Sequence, residues 1–246
     1  MTLQALAVRD DLLSAQQTAW DALGEPGTWW TGAERLALAA ETRRAEVCPL
    51  CAERKQALSP QAVSGSHGAT DLLPAAAVEA VHRIRTDPGR LSARWAQGLL
   101  ADGPRGQALS DGAYVELISV VATVVLVDTF AQGLGQARRP LPRPRPGAPS
   151  RHRPAAARPD GAYVPMIPRG ENSGPEADLY PAGFVPNVLR AMSLVPAAVR
   201  GFFALHGAHY VDVAGVTDPT IGGRAISRPQ IELIAARVSA LNACFY

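Results

Sequence analysis

Cys48-Pro49-Leu50-Cys51 is the one complete constellation in this chain whose residue types and spacing suit chemistry. A thiolate, not a thiol, is the reactive sulfur nucleophile, so such a cysteine needs a lowered pKa. A second cysteine nearby captures the resulting sulfenic acid as a disulfide. A C-x-x-C pair at a helix start serves both needs, because the helix dipole favours the anion and the spacing permits the bridge. Pro49 marks such a start, since proline suits the first helical turn. Arg54 and Lys55 follow closely, and their charge would favour a thiolate. The competing reading is a redox-inert structural pair. Zinc fits the sequence poorly, because two cysteines lacking a second pair or a matching histidine make a poor site, and no metal is expected.

Other residues invite functional readings that packing explains as well. His82, beside Arg83 on a helical stretch, could approach the cysteine pair, but a surface or core histidine is the plainer expectation. His206 and His209 stand at i and i+3 without a carboxylate pattern to complete a metal site, so core or interface packing is expected. Glu116 reads as a helix-surface or interhelical acid, and Trp29 and Trp30 as packing residues. No P-loop, dinucleotide fingerprint or G-x-S-x-G motif is present.

The elements that must position these groups read as helices throughout. An apolar stripe runs over 3–22 and is broken by Gly24, Pro26 and Gly27. Thr31 with Glu34 forms a capping-box signature for a helix over 32–46 that delivers Cys48 at its end. Further helices are expected over 72–84, 91–100 and 113–134. The last is capped by Ser110 or Asp111 and closed by Gly135. Its run Val120-Val121-Ala122-Thr123-Val124-Val125 is β-branched, yet the length and caps favour helix. After a loop rich in Pro and Gly, helical pattern returns over 185–192 and 196–211. A final helix is capped by Ser227 with Pro229 in its first turn.

Apolar residues at 47% and charged residues at 19% are enough for a packed core and argue against wholesale disorder. The net charge of +2 conceals an asymmetry: residues 138–159 hold seven Arg, seven Pro and no acid, so the rest of the chain is mildly acidic. This segment reads as an extended polyproline-type linker, a solvated spacer, with docking to an acidic surface as the alternative. Its lack of aromatic residues argues against base stacking, and no nucleic-acid partner is expected. The apolar run from Leu117 to Val127 lies between Glu116 and Asp128 and is too short for a bilayer, so no membrane partner is expected. Three cysteines and no apolar leader point to a cytoplasmic protein with reduced thiols.

Two segments resemble one another: Trp30 to Cys48, and Ser227 to Cys244. Each is a capped, Ala-rich helix ending in a cysteine. In the second, Glu232 precedes Cys244 by twelve residues, with Leu233, Ala235, Val238, Ser239, Ala240 and Asn242 around it. On these residues the chain resembles the alkylhydroperoxidase D-like, carboxymuconolactone decarboxylase-like family, whose motif runs Glu, eleven residues, Cys, two residues, Cys, three residues, His. The first copy keeps the pair but has Leu36 where the family has Glu and Lys55 where it has His. If its helix is unbroken, Glu34, Glu41 and Cys48 share a face, so Glu41 could replace the missing relay. The 113–134 helix resembles the family's closing helix.

The resemblance implies an all-α fold of tandem alkylhydroperoxidase D-like helical domains. A first spans 1–136, a linker and loop 137–179, and the first part of a second 180–246. It implies a thiol-dependent peroxidase, an antioxidant oxidoreductase that reduces hydroperoxides with electrons from an unidentified thiol donor. The family builds its site at helix contacts, and homo-oligomers are expected. Carried over, Cys244 would be the resolving thiol and Glu232 the relay carboxylate. The attacking residue would fall beyond Tyr246, which suggests a selenoprotein in which a selenocysteine or Cys codon continues the frame. Cys48 and Cys51 make the other candidate pair, the second cysteine attacking in the family and the first resolving. No metal or organic cofactor is implied. The alternatives are a catalytically degenerate member acting as an assembly module, and a cofactor-free decarboxylase. The dithiol argues against the latter, which needs acid/base groups.

Overall fold

The structure is a computed structural model that describes residues 7–68, 71–101, 108–180, 185–211, 215, 218, 220 and 225–242. Among these, regular structure is all-helical, as the sequence predicts. The helices are α1 (Asp10–Ala22), α2 (Gly32–Ala45), α3 (Pro49–Gln56), α4 (Ala75–Thr86), α5 (Ala93–Ala101), α6 (Asp111–Gly133), α7 (Asn187–Met192), α8 (Pro196–His209) and α9 (Arg228–Leu241). A single isolated bridge between Arg158 and Met166 is the only β pairing described.

The boundaries follow from local chemistry. Thr31 accepts the Glu34 backbone N–H, and the Glu34 carboxylate accepts the Thr31 N–H at 2.8 Å, closing the capping box at the start of α2. Ser110 caps α6 through the Ala113 N–H. At the other end of α6, Gly135 takes φ +67°. Its N–H reaches Gln132 O while the Gln136 N–H reaches Ala131 O, the paired bonds of a Schellman stop.

α6 is the central helix. It buries Tyr114, Val115, Leu117, Val120, Val121, Val124 and Val127, and it packs against α1, α2, α4 and α8. Among the described residues it is the one helix long and apolar enough to cross a membrane by length and composition, and it is mostly buried within the protein. Its β-branched run is helical because both ends are capped and Val120, Val121 and Val124 are buried against neighbouring helices. The hydrophobic cluster around it runs from Trp20 through Leu38, Val81 and Leu117 to Leu194 and Val199. Chain from before and after the Pro/Arg segment therefore shares one core.

The Pro/Arg segment is extended, as its composition predicts, but it is not a solvated spacer. It lies as a strap against α1, α2 and α6. Trp20 Nε1 donates to Pro140 O at 2.8 Å, Arg43 donates to Arg139 O at 2.8 Å, and the Arg145 and Arg151 N–H groups donate to Gly24 O and Thr28 O, each at 2.8 Å. Its arginines meet acids: Arg138 meets Glu46, Arg145 meets Glu25, and Arg153 meets Asp111. A Cβ on Gly24 would stand 2.5 Å from Arg143 O, so the strap's close approach depends on glycine there. The acidic balance of the helices supplies the surface that the arginines need, which is the docking alternative of the sequence reading.

Candidate functional site

The site is assembled where α2, α3, α4 and the loop after α3 converge. Cys48 is the N-cap of α3, with Pro49 at the first helical position. The end of α3 is held by Arg90, whose guanidinium donates to Arg54 O, Lys55 O and Ala57 O, three carbonyls left open by the helix terminus. The chain then runs through a 3₁₀ turn (Pro60–Ala62) into a polar loop, which Arg54 Nε ties down through Val63 O at 3.2 Å. This loop returns His67 to the cysteines. α4 buries Ala76, Ala77, Ala80 and Val81 against its neighbours and turns His82 inward.

The four side chains meet closely. The Cys48 and Cys51 sulfurs lie 3.7 Å apart. His67 Nδ1 stands 3.4 Å from Cys48 Sγ and 3.9 Å from Cys51 Sγ, and His82 Nδ1 stands 3.1 Å from Cys51 Sγ. The two imidazoles stack at 3.8 Å between centroids. Each ring is then fixed from behind by a carboxylate. His82 Nε2 is 2.6 Å from Glu41 Oε1, and His67 Nε2 is 2.9 Å from Glu79 Oε2. The carboxylates are in turn held by arginines, Glu41 by Arg44 and Glu79 by Arg54. Glu41 is 2% exposed and Cys51 3%, whereas Cys48 is only half-buried. The described cysteines are both free.

The electrostatics differ between the two rings. Burial opposes charge on His67, but its bonds to Cys51, Glu79 and Cys48 outweigh burial and raise its pKa to about 10. Burial would raise the Glu79 carboxyl, yet His67 and Arg54 bring it down to about 2. Burial, reinforced by the charge of His67, lowers His82 to about 3, so this ring is neutral. Its partners assign the tautomer: Nε2–H donates to Glu41, and the Nδ1 lone pair faces Cys51. Burial would raise the Cys48 thiol, but the bond from His67 carries it below its ordinary value.

An open cleft of about 800 Å³ borders this arrangement, lined by Arg54, Glu79, Ser59, Gln61, Gly65 and Trp95 among others. A more apolar cavity of about 450 Å³ lies elsewhere, beside the buried Arg35–Glu116 pair.

The sequence-derived candidates divide. Cys48 and Cys51 belong to the cluster, and Glu41 is the carboxylate that reaches it. Glu34, on the same face of α2, is spent on the cap instead. The expectation that the pair lacks a matching histidine does not hold, because two histidines adjoin it. His82 is a core histidine that also touches the site. Lys55 is exposed, and Arg54 acts on Glu79 and His67, so the cation nearest the thiols is His67. His67 and Glu79 went unrecognised in the sequence. The signal that could have found His67 is its distance from Cys51, which matches the interval between a C-x-x-C pair and the first histidine of a zinc finger.

Glu232 lies on α9 with its side chain 47% exposed, accepting from Tyr210 Oη and Arg228 Nε, each at 2.6 Å. The structure does not bring it to Cys48 and Cys51. Cys244 lies outside the described residues. His206 and His209 pack as expected, His206 stacking on Phe202 and His209 edge-on to Phe130. Glu116 is a buried interhelical acid that accepts the Trp29 N–H at 2.5 Å.

No family model, curated protein or solved structure matches this chain.

Proposed function

We propose that the chain is a thiol oxidoreductase of the alkylhydroperoxidase D type, reducing hydroperoxides through Cys48 and Cys51. One observation carries the reading: two free sulfurs 3.7 Å apart, each against the Nδ1 of a histidine whose Nε2 rests on a glutamate. A carboxylate–imidazole–thiol chain is the arrangement that activates a sulfur nucleophile and returns a proton to the leaving oxygen.

Exposure supports one order of roles. Cys48 is the half-buried sulfur and faces the peroxide, while Cys51 is buried and resolves. This reverses the order that the family resemblance implies. The Cys48 thiolate attacks one peroxide oxygen. The S–O bond forms, the O–O bond breaks, and the departing alkoxide takes the His67 Nδ1 proton to leave as an alcohol. With its proton gone, His67 no longer opposes charge on His82, and Cys51 gives its proton to His82 Nδ1 and attacks the Cys48 sulfenic sulfur. The S–S bond forms, and the hydroxide released takes the proton from His82 as water. The sulfurs close from 3.7 Å to about 2.05 Å, which C-x-x-C spacing allows. Thiol–disulfide exchange with an external dithiol then restores both cysteines.

The test uses chelator-treated, reduced full-length protein carrying Cys244→Ser, mixed with one equivalent of an organic hydroperoxide. Two thiols per chain should disappear together with one Cys48–Cys51 disulfide, seen by peptide mapping. Cys51→Ser should stop at a sulfenic acid on Cys48 that a dimedone probe traps. Thiols that survive the peroxide would end the reading, and a trapped acid on Cys51 in Cys48→Ser alone would restore the family order.

A further inference from the structure

We infer that the reduced site is also a zinc site: Cys48, Cys51, His67 and His82 together hold one Zn²⁺, and the bound metal shields both thiols. This rests on the same four side chains as the preceding proposal but not on their redox activity.

The argument is geometric. Zinc in a closed protein site takes four ligands in a tetrahedron, with Zn–S about 2.3 Å and Zn–N about 2.0–2.1 Å. The edges of that tetrahedron are then about 3.8 Å for S···S and about 3.6 Å for S···N. The corresponding separations are 3.7 Å between the sulfurs, and 3.4, 3.9 and 3.1 Å for the three close S···N contacts. All four donor atoms lie within 4.8 Å of one another. The measured separations are close to the edges of one such tetrahedron.

The surroundings fit as well. Ligating histidines ordinarily give their second nitrogen to a carboxylate, which fixes the ring and strengthens it as a ligand. Both rings do so here, His82 on Glu41 and His67 on Glu79. Arg44 and Arg54 balance those carboxylates, so two thiolates and one Zn²⁺ would add no net charge to the buried region. Thiolate and imidazole donors in a four-fold set suit Zn²⁺ and do not suit Mg²⁺ or Ca²⁺. Four protein donors leave no open position, so the metal would not present a bound water for catalysis. It would instead clamp α3 and the loop carrying His67 onto α4. The interval from Cys51 to His67 is of zinc-finger length, but the one from His67 to His82 is far longer than a zinc finger's three to five residues, so only the first three ligands follow a known spacing.

Co²⁺ reports on such a site directly. Added to reduced, metal-free full-length protein carrying Cys244→Ser, it should give the d–d bands of a tetrahedral complex and thiolate-to-metal charge transfer, saturating at one equivalent. Zn²⁺ should bleach both and slow iodoacetamide labelling of Cys48 in step with occupancy. Glu41→Gln and Glu79→Gln should keep the tetrahedral spectrum and weaken affinity by about 10–100-fold. An octahedral spectrum, or a Cys48→Ser protein that titrates like its parent, would overturn the inference. The spectrum of folded parent protein carries this test, so misfolding of one variant would not obscure it. Zinc binding in a protein whose metal-free thiols ignore peroxide would uphold this inference and remove the oxidoreductase. Peroxide oxidation without metal binding would do the reverse.

Discussion

α2 and α9 resemble each other in sequence and differ in everything that packing decides. Each opens on a capping box, Thr31 with Glu34 and Ser227 with Gln230, and each runs through an Ala-rich helix toward a cysteine. α2 buries Leu36, Leu38, Ala39, Glu41 and Thr42, whereas α9 buries nothing among its described residues and leaves Leu233, Ile234, Val238 and Leu241 exposed. Glu41 meets a histidine on α4 that meets a thiol on α3. Glu232, placed twelve residues before a cysteine as the family motif asks, meets a tyrosine and an arginine in solvent. Spacing along one helix brings a carboxylate near a thiol only in sequence. A proton relay needs a second element at hydrogen-bond distance, and α4 supplies it to α2 alone.

The largest effect should come from removing a sulfur. Cys48→Ser or Cys51→Ser should abolish the peroxide-induced disulfide entirely, while Glu232→Gln should leave its rate and yield unchanged. Loss of the disulfide in Glu232→Gln would reverse the ranking of the two regions.

Next comes the relay itself. Glu41→Gln should slow disulfide formation in metal-free protein by about 100-fold, the usual scale of a lost acid–base partner. Glu34→Gln, seven residues away on the same face, should leave that rate alone and cost at most about 1 kcal/mol as a weakened cap. Stopped-flow oxidation of both variants decides this. Equal slowing would mean that α2 matters only as scaffold.

The legible parts of this molecule were the local ones. Helices could be read because their caps and breakers are short-range: Thr31 with Glu34, Pro49 at a first turn, Gly135 at a stop. The cysteine pair and the face shared by Glu41 and Cys48 are equally short-range. His67 was less legible because its contacts to Cys48, Cys51 and Glu79 span 12 to 19 residues and depend on the path of an irregular loop. His82 lies 31 residues from Cys51 and 41 from Glu41, and nothing in its own helix separates an inward histidine from an ordinary core one. The strap misled for a related reason. Its composition prescribes extension, but docking depends on acids that belong to other elements, such as Asp111 and Glu46.

The seat of α2 can be loosened without touching the site. Arg43 on α2 holds Asp128 of α6 by two bonds of 2.7 Å, with Asp128 buried. Removing one partner of a buried, doubly bonded pair costs about 3 kcal/mol. Asp128→Asn should therefore lower Tm by about 5–10 °C in a chain of this size. Glu232→Gln removes the exposed Arg228–Glu232 pair on α9 and should shift Tm by no more than about 1 °C. Differential scanning calorimetry of the two variants measures how unequally the two helices are anchored, and equal shifts would show that α9 is as firmly seated as α2.

The smallest effect belongs to the strap that lies against α1, α2 and α6. Arg153 donates to both oxygens of Asp111, at 2.8 and 2.9 Å, and with the Gly112 N–H it holds that carboxyl below its ordinary value. A lowered folded-state pKa stabilises the fold at pH above the unfolded value of about 3.9, and the contribution is lost as pH falls through the folded value. Both side chains are partly exposed, so the contribution is less than about 1 kcal/mol and shrinks in salt. Parent protein should thus exceed Asp111→Asn slightly in Tm at neutral pH, and the gap should close as the buffer falls below the ordinary carboxylate range or the salt approaches 1 M. No gap at neutral pH would assign the strap's anchoring to the backbone bonds at Gly24 and Thr28, which both proteins share, and the arginines of the strap would then contribute charge balance without holding it in place.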